Sequence, residues 1–248
     1  MNPVVLDATS LRKTFGDHLA VDGISLRVEE CERVGLLGPN GAGKTTTLLM
    51  LLGAILADSG TINIDGFTLP KQRSKAMERV GFVAGYLPLP QHLTVREALE
   101  FFAGLYGIRS PGPDIDAALE RFRIPHLALK RCETLSSGQR TLVGICKAIL
   151  HRPKLVVLDE PTASLDPDVA LRVRTGLREL SEQEGMALLV TSHDMLEVER
   201  LCERVVFIAN GRVVAEGQPH EVIEQYGVAD LESVFLALAG IHISEEER

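Results

Sequence analysis

The sequence contains no basic run, no long apolar run and no cysteine pair at metal-binding spacing, and each absence removes a class of function. Its longest apolar stretch, Leu48 to Ala57, falls well short of the about 20 residues that cross a bilayer. The start, Met1-Asn2-Pro3-Val4, has no basic region followed by an apolar run, so no secretory signal is expected. Acids outnumber bases, 34 Asp and Glu against 26 Lys and Arg, for a formal net charge of −8. A chain so charged is poorly suited to direct nucleic-acid binding, whose affinity comes largely from neutralising phosphates. Cys31, Cys132, Cys146 and Cys202 are scattered, without C-x-x-C spacing. Neither a zinc site nor a disulfide framework is indicated, and free thiols in a reducing cytoplasm are expected. Internal repeats and low-complexity linkers are lacking too. The 248 residues suffice to bury a sizeable core, as one large domain or two small ones.

The chain is organised around Gly38-Pro39-Asn40-Gly41-Ala42-Gly43-Lys44-Thr45, which fits the phosphate-binding pattern G-x-x-x-x-G-K-[ST]. Its four fixed positions would coincide by chance in a chain of this length roughly one time in a hundred. The flanks lower that figure: Val34 to Leu37 reads as a buried strand and Thr46 to Leu52 as a Leu-rich helix, the context the pattern requires. Glycines let successive N–H groups turn inward as a nest for phosphate oxygens. The following helix offers its positive end to the same anion. Lys44 is expected to reach the β- and γ-phosphates, and the Thr45 hydroxyl to ligate Mg²⁺.

Elsewhere, Val4 to Thr9 and Ile24 to Val28 read as strands on either side of a turn-like stretch, Thr14 to Asp17. Thr61 to Ile64 alternates as a strand and ends at Asp65-Gly66. These short strands predict an antiparallel sheet beside the nucleotide core. Val80 to Val83 reads as a buried strand, and Pro88 and Pro90 mark a loop after it. Thr94-Val95-Arg96-Glu97 has the form of a capping box opening a helix. A second helix is expected over Asp114 to Phe122, and a third capped by Ser136 or Ser137 and running to about His151. Leu155 to Leu158 is a continuous apolar run, as in parallel strands covered on both faces. Asp166-Pro167 has the form of a helix start, cap residue then Pro. Two further buried strands, Ala187 to Val190 and Val205 to Ala209, precede two short helices after Pro219. The charged end, Glu245 to Arg248, is expected to fray.

The Leu155–Leu158 strand ends in Asp159-Glu160. An acid at the end of a core strand beside a phosphate loop suits Mg²⁺, so Asp159 is the candidate metal ligand alongside Thr45. Glu160, one residue further out, is placed to take a proton from an attacking water. The plainer reading, a helix-capping acid pair in a loop, loses weight with the phosphate loop upstream.

With these residues in place, the chain resembles the ATP-binding cassette of ABC transporters over almost its whole length. Leu135-Ser136-Ser137-Gly138-Gln139 resembles the family's signature, usually Leu-Ser-Gly-Gly-Gln. Ser164-Leu165-Asp166 matches the loop after the acids, and His193 in Thr191-Ser192-His193-Asp194 matches the switch histidine. Phe15 resembles the aromatic that stacks on adenine, usually Tyr, a contact worth roughly 1–3 kcal/mol. The resemblance implies a dimer of cassettes packed head to tail, homo- or heterodimeric. The signature of one cassette, Ser136 to Gln139, covers the γ-phosphate held by Lys44 of the other. Ser137 stands where Gly is commoner. It also implies ATP and Mg²⁺ as cofactors, and Gly38 to Thr46 with Asp166 as nucleotide contacts. One position departs from the family: Gly85 falls where a Gln usually meets Mg²⁺. Either Gln91 or a water takes that place, or the site lacks the ligand.

The expected fold is α/β: a P-loop NTPase with a RecA-like parallel-sheet core (1–87 and 152–217), an antiparallel side sheet, a helical subdomain (88–151) and a C-terminal helical tail (218–248). The expected function is ATP hydrolysis driving an exporter through separate integral-membrane subunits. The expected place is cytoplasmic, peripheral on the inner face of the cell membrane. The other class in view is a soluble ABC-type ATPase acting on ribosomes or DNA. Such proteins usually carry two cassettes or a long coiled-coil insert, which this chain does not show. A third reading, a nucleotide-binding regulator without turnover, is opposed by Glu160.

Overall fold

The computed structural model describes residues 2–84, 89–163, 165–238 and 240. In chain order the elements are β1 (Val4–Phe15), β2 (His18–Glu29), β3 (Arg33–Leu37), α1 (Lys44–Leu51), β4 (Ser59–Ile64), β5 (Phe67–Leu69), α2 (Arg73–Met77) and β6 (Val80–Ala84). The helices α3 (Val95–Leu105), α4 (Gly112–Arg121) and α5 (Ser137–Ile149) follow, with two 3₁₀ turns between the last two. Then come β7 (Leu155–Asp159), α6 (Pro167–Glu184), β8 (Ala187–Thr191), α7 (Met195–Leu201), β9 (Arg204–Ala209), β10 (Arg212–Gly217), α8 (Pro219–Tyr226) and α9 (Leu231–Leu238).

Two sheets result. One is four-stranded, in the order β2-β1-β4-β5, antiparallel throughout. The other is six-stranded, β10-β9-β3-β8-β7-β6, parallel except for β10 at its edge. The apolar run in β7 shows why that strand lies in the interior of the sheet. Successive side chains point to opposite faces, and both faces are covered. Leu155 and Val157 join the core under the antiparallel sheet and α1, while Val156 and Leu158 join the core beneath the helices.

One local reading is corrected by the backbone and two are narrowed. Thr14 and Phe15 belong to β1, and the turn is only Gly16-Asp17, because Phe15 and His18 still pair across the hairpin. Ser136, not Ser137, caps α5: its hydroxyl accepts from the Gln139 N–H, and the Gln139 side chain returns to the Ser136 N–H. Asp166 occupies the cap position of α6, but its side chain makes no cap hydrogen bond. The Thr94 capping box forms as read. All four cysteines are free, and among the described residues no helix is long and apolar enough to cross a membrane. Gly85, Ser164 and the segment Glu245 to Arg248 lie outside the described residues.

Candidate functional site

Parallel strands bring their carboxyl ends to one edge of a sheet, where open α/β folds bind ligands. β3 lies beside β8 and β8 beside β7. The loops leaving these three strands are therefore neighbours, though they come from residues 38–43, 160 and 192–193. The sequence-predicted Lys44, Asp159, Glu160 and His193 meet at this edge.

The loop after β3 is built for close approach. At Gly38, with φ +146°, a Cβ would stand 2.1 Å from the Ile208 carbonyl oxygen of β9. At Gly43, with φ +105°, it would stand 2.5 Å from the Ala20 carbonyl oxygen of β2. Only glycine fits either place. The first intrahelical bond of α1 runs from the Thr47 N–H to the Gly43 carbonyl at 2.9 Å. The N–H groups of Lys44, Thr45 and Thr46 therefore have no acceptor within the helix and open toward an anion. Asn40 and Thr45 are exposed, Pro39 half-buried and Ala42 buried against the core.

Lys44 Nζ donates to the Gly38 and Pro39 carbonyl oxygens, 3.0 Å from the latter. Burial pushes its pKa below the ordinary lysine value, and the nearby Glu160 and Asp159 carboxylates pull it partly back. A half-buried ammonium at a nest of free N–H groups fits a phosphate, which supplies the charge that desolvation makes costly to do without.

The acids are held by β8. Asp159 pairs with Thr191 across β7 and β8, and the Thr191 hydroxyl donates to Asp159 Oδ1 at 2.7 Å. The Glu160 N–H is received by both the Thr191 carbonyl (3.1 Å) and the Thr191 Oγ1 (3.2 Å). Glu160 itself has φ +54°, a left-handed conformation that a non-glycine residue adopts at a cost. Its Oε2 lies 2.8 Å from His193 Nδ1 and accepts from the His193 N–H at 3.3 Å. Neither acid caps a helix, so the plainer reading of the pair fails.

Phe15 is half exposed at the end of β1, with Lys13 Nζ 5.5 Å from its ring centroid; it is not a core aromatic. Ser136, Ser137, Gly138 and Gln139 open α5, and the hydrogen bonds of the Ser136–Gln139 box are local to it. Among the described residues no hydrogen bond joins this segment to the loop at Gly38–Thr45. Asp166 is exposed at the start of α6. Gln91 is exposed in the turn before α3, its carbonyl accepting from the Glu133 N–H at 3.2 Å. Thr191 was missed by the sequence reading. Its identity in Thr191-Ser192-His193 was visible, but its contacts arise from strand register.

Residues 21–163 match the sequence profile of the ABC transporter family. Among curated proteins, the chain is 38% identical over 238 residues to the Nod factor export ATP-binding protein I of Ralstonia nicotianae, covering 93% of this chain and 72% of that one. It is 36% identical over 225 residues to the linearmycin resistance ATP-binding protein LnrL of Bacillus subtilis, covering 90% and 72%. Among solved structures, an ATP-binding subunit of an ABC transporter superposes with a TM-score of 0.84 at 28% identity, over 95% of this chain and 99% of the other. The cbiO1 protein of Clostridium perfringens, described as part of the ABC transporter complex cbiONQ, gives 0.81 at 30%, over 97% and 98%.

Proposed function

We propose, from the premise that this chain belongs to the ABC transporter family and is an ATP-hydrolysing subunit of exporter type, that it drives export as a dimer of cassettes on the inner face of the cell membrane. The observation that carries the chemistry is the convergence of Lys44, Asp159, Glu160 and His193 at one sheet edge. The free N–H groups of α1 and the Lys44 ammonium bind and orient the phosphates. Glu160 takes the proton of the attacking water, and His193 holds that carboxylate in place. Phe15 offers its exposed face to the adenine.

The Thr45 hydroxyl and Asp159 would hold Mg²⁺, which would supply charge neutralisation on the phosphate oxygens. Among the described residues no group of three or more His, Cys, Asp or Glu side chains is placed to hold a metal. Mg²⁺ keeps several waters and needs only one or two protein ligands besides phosphate. The export reading is supported by the two relatives, named for Nod factor export and for linearmycin resistance. Integral-membrane subunits are the partners this requires. Ser136 to Gln139 and Asp166 are assigned to the opposite cassette's nucleotide.

Replacing the base tests this. Glu160→Gln keeps the loop contacts and loses the proton acceptor, which contributes about 10²–10⁴ in rate. It should bind ATP, turn over at that reduced rate and accumulate as an ATP-bound dimer in sedimentation. Turnover near the wild-type rate would remove Glu160 from the role.

A further inference from the structure

We infer that Thr191 is a positioning residue for ATP hydrolysis, acting through its hydroxyl on both acids at once. The inference rests on the assignment of Asp159 and Glu160 given above and concerns a residue that makes no contact with nucleotide in that assignment.

Three observations carry it. First, Thr191 is 1% exposed, so its hydroxyl has no water to fall back on. A buried hydroxyl without partners is costly, and here both of its capacities are used in the site. It donates to Asp159 Oδ1 at 2.7 Å and accepts from the Glu160 N–H at 3.2 Å. Second, the bond to Asp159 is charge-assisted, the stronger class of hydrogen bond. It occupies one carboxylate oxygen, restrains the carboxylate and leaves the second oxygen available to a metal. Third, Glu160 stands at φ +54°. A residue held in that region persists only where its surroundings determine it. The Thr191 hydroxyl and carbonyl, both on its N–H, are part of those surroundings, and they hold the backbone from which the carboxylate reaches His193.

One hydroxyl therefore coordinates the orientation of the metal-side acid with that of the water-side acid. Register supplies it: Asp159 and Thr191 are directly paired across β7 and β8, so a one-residue slip would present Ser192 or Val190 instead.

Thr191→Val keeps the shape and β-branching but removes the hydroxyl; Thr191→Ser keeps the hydroxyl. Three quantities are read on purified full-length protein. These are kcat and KM for ATP, the Mg²⁺ concentration for half-maximal turnover, and equilibrium binding of a fluorescent ATP analogue with Mg²⁺ and with EDTA. Thr191→Val is expected to lower kcat about 10- to 100-fold, the scale of a small misplacement of a catalytic group, and to raise the Mg²⁺ requirement. Mg²⁺ should strengthen analogue binding less than in the wild type, while affinity in EDTA stays unchanged. Thr191→Ser should restore most of each. The inference is overturned if Thr191→Val keeps the wild-type kcat and Mg²⁺ requirement, if Thr191→Ser loses as much as Thr191→Val, or if the loss appears equally in EDTA binding. Glu160→Gln, run alongside, separates the two failures. If it turns over normally, the assignment beneath the inference is wrong; if it is inactive while Thr191→Val is normal, only the inference is.

Discussion

Glycines at one loop do unequal work, and their geometry says which can be replaced. Gly38→Ala drives a Cβ into the Ile208 carbonyl, 2.1 Å away, at φ +146°. Because the obstacle is backbone of the neighbouring strand, nothing flexible can yield, and a cost of about 3–5 kcal/mol is expected, at the upper end for single substitutions. Gly41, at φ +79°, has nothing within 4 Å of a built Cβ. Gly41→Ala meets only the left-handed backbone penalty, about 1–2 kcal/mol. Denaturant midpoints and ATP-analogue affinity should therefore both fall much further for Gly38→Ala than for Gly41→Ala. Equal effects would mean that the contact with β9 is not what demands glycine. The phosphate loop was legible in sequence because all of its parts lie within eight consecutive residues. Thr191 was not, because its partners are 31 and 32 residues earlier and reach it through strand pairing.

Helix starts divide in the same way between a structural and a functional duty. Thr94 and Ser136 both form complete capping boxes, at α3 and α5. Replacing either by Ala should cost about 1 kcal/mol of stability. Their consequences for turnover should differ: Thr94→Ala is expected to stay within about twofold of wild type, since a cap within that range shifts stability rather than chemistry. Ser136→Ala should lose activity well beyond what its lowered denaturant midpoint explains. Matching losses in both variants would reduce Ser136 to a cap. Caps of this kind are readable because their signal spans four residues. Of the elements the sequence reading left out, β5, α2 and β10 are short and carry little apolar patterning, whereas α7 went unread although Met195, Val198 and Leu201 are buried at helical spacing. A signal was nevertheless present. Asn210 (φ +49°) and Gly211 (φ +74°) join β9 to β10, with Ala209 paired to Arg212, and Asp65-Gly66 joins β4 to β5 in the same manner. Asn-Gly and Asp-Gly are the preferred two-residue hairpin turns. Reading Asp65-Gly66 as the end of a strand, rather than as a hinge between two, concealed β5.

At the scale of the whole molecule, the proposed function calls on two helix starts to receive phosphate. One is the loop after β3, with Lys44 and the free N–H groups of α1. The other is the start of α5, where the capping box uses the N–H groups of Ser136 and Gln139 and leaves those of Ser137 and Gly138 beyond any intrahelical acceptor. In the proposed dimer of cassettes each would be half of an enclosure. The proposed head-to-tail pair would complete both at once, a two-fold axis setting each loop against the other chain's α5. This makes a prediction that neither half gives alone. A Lys44→Ala chain keeps a sound α5 start, and a Ser136→Ala chain keeps a sound phosphate loop; each homodimer has no intact site. In their heterodimer one composite site is intact and the other carries both defects. Equal mixing with free exchange makes half of the dimers mixed, so activity should recover to about a quarter of the wild-type rate if the sites act independently. Wild-type activity per molecule should also rise with protein concentration at dilution, as an association step requires. If mixing restores nothing, and activity per molecule stays flat on dilution, each chain hydrolyses ATP by itself and the start of α5 serves only its own helix.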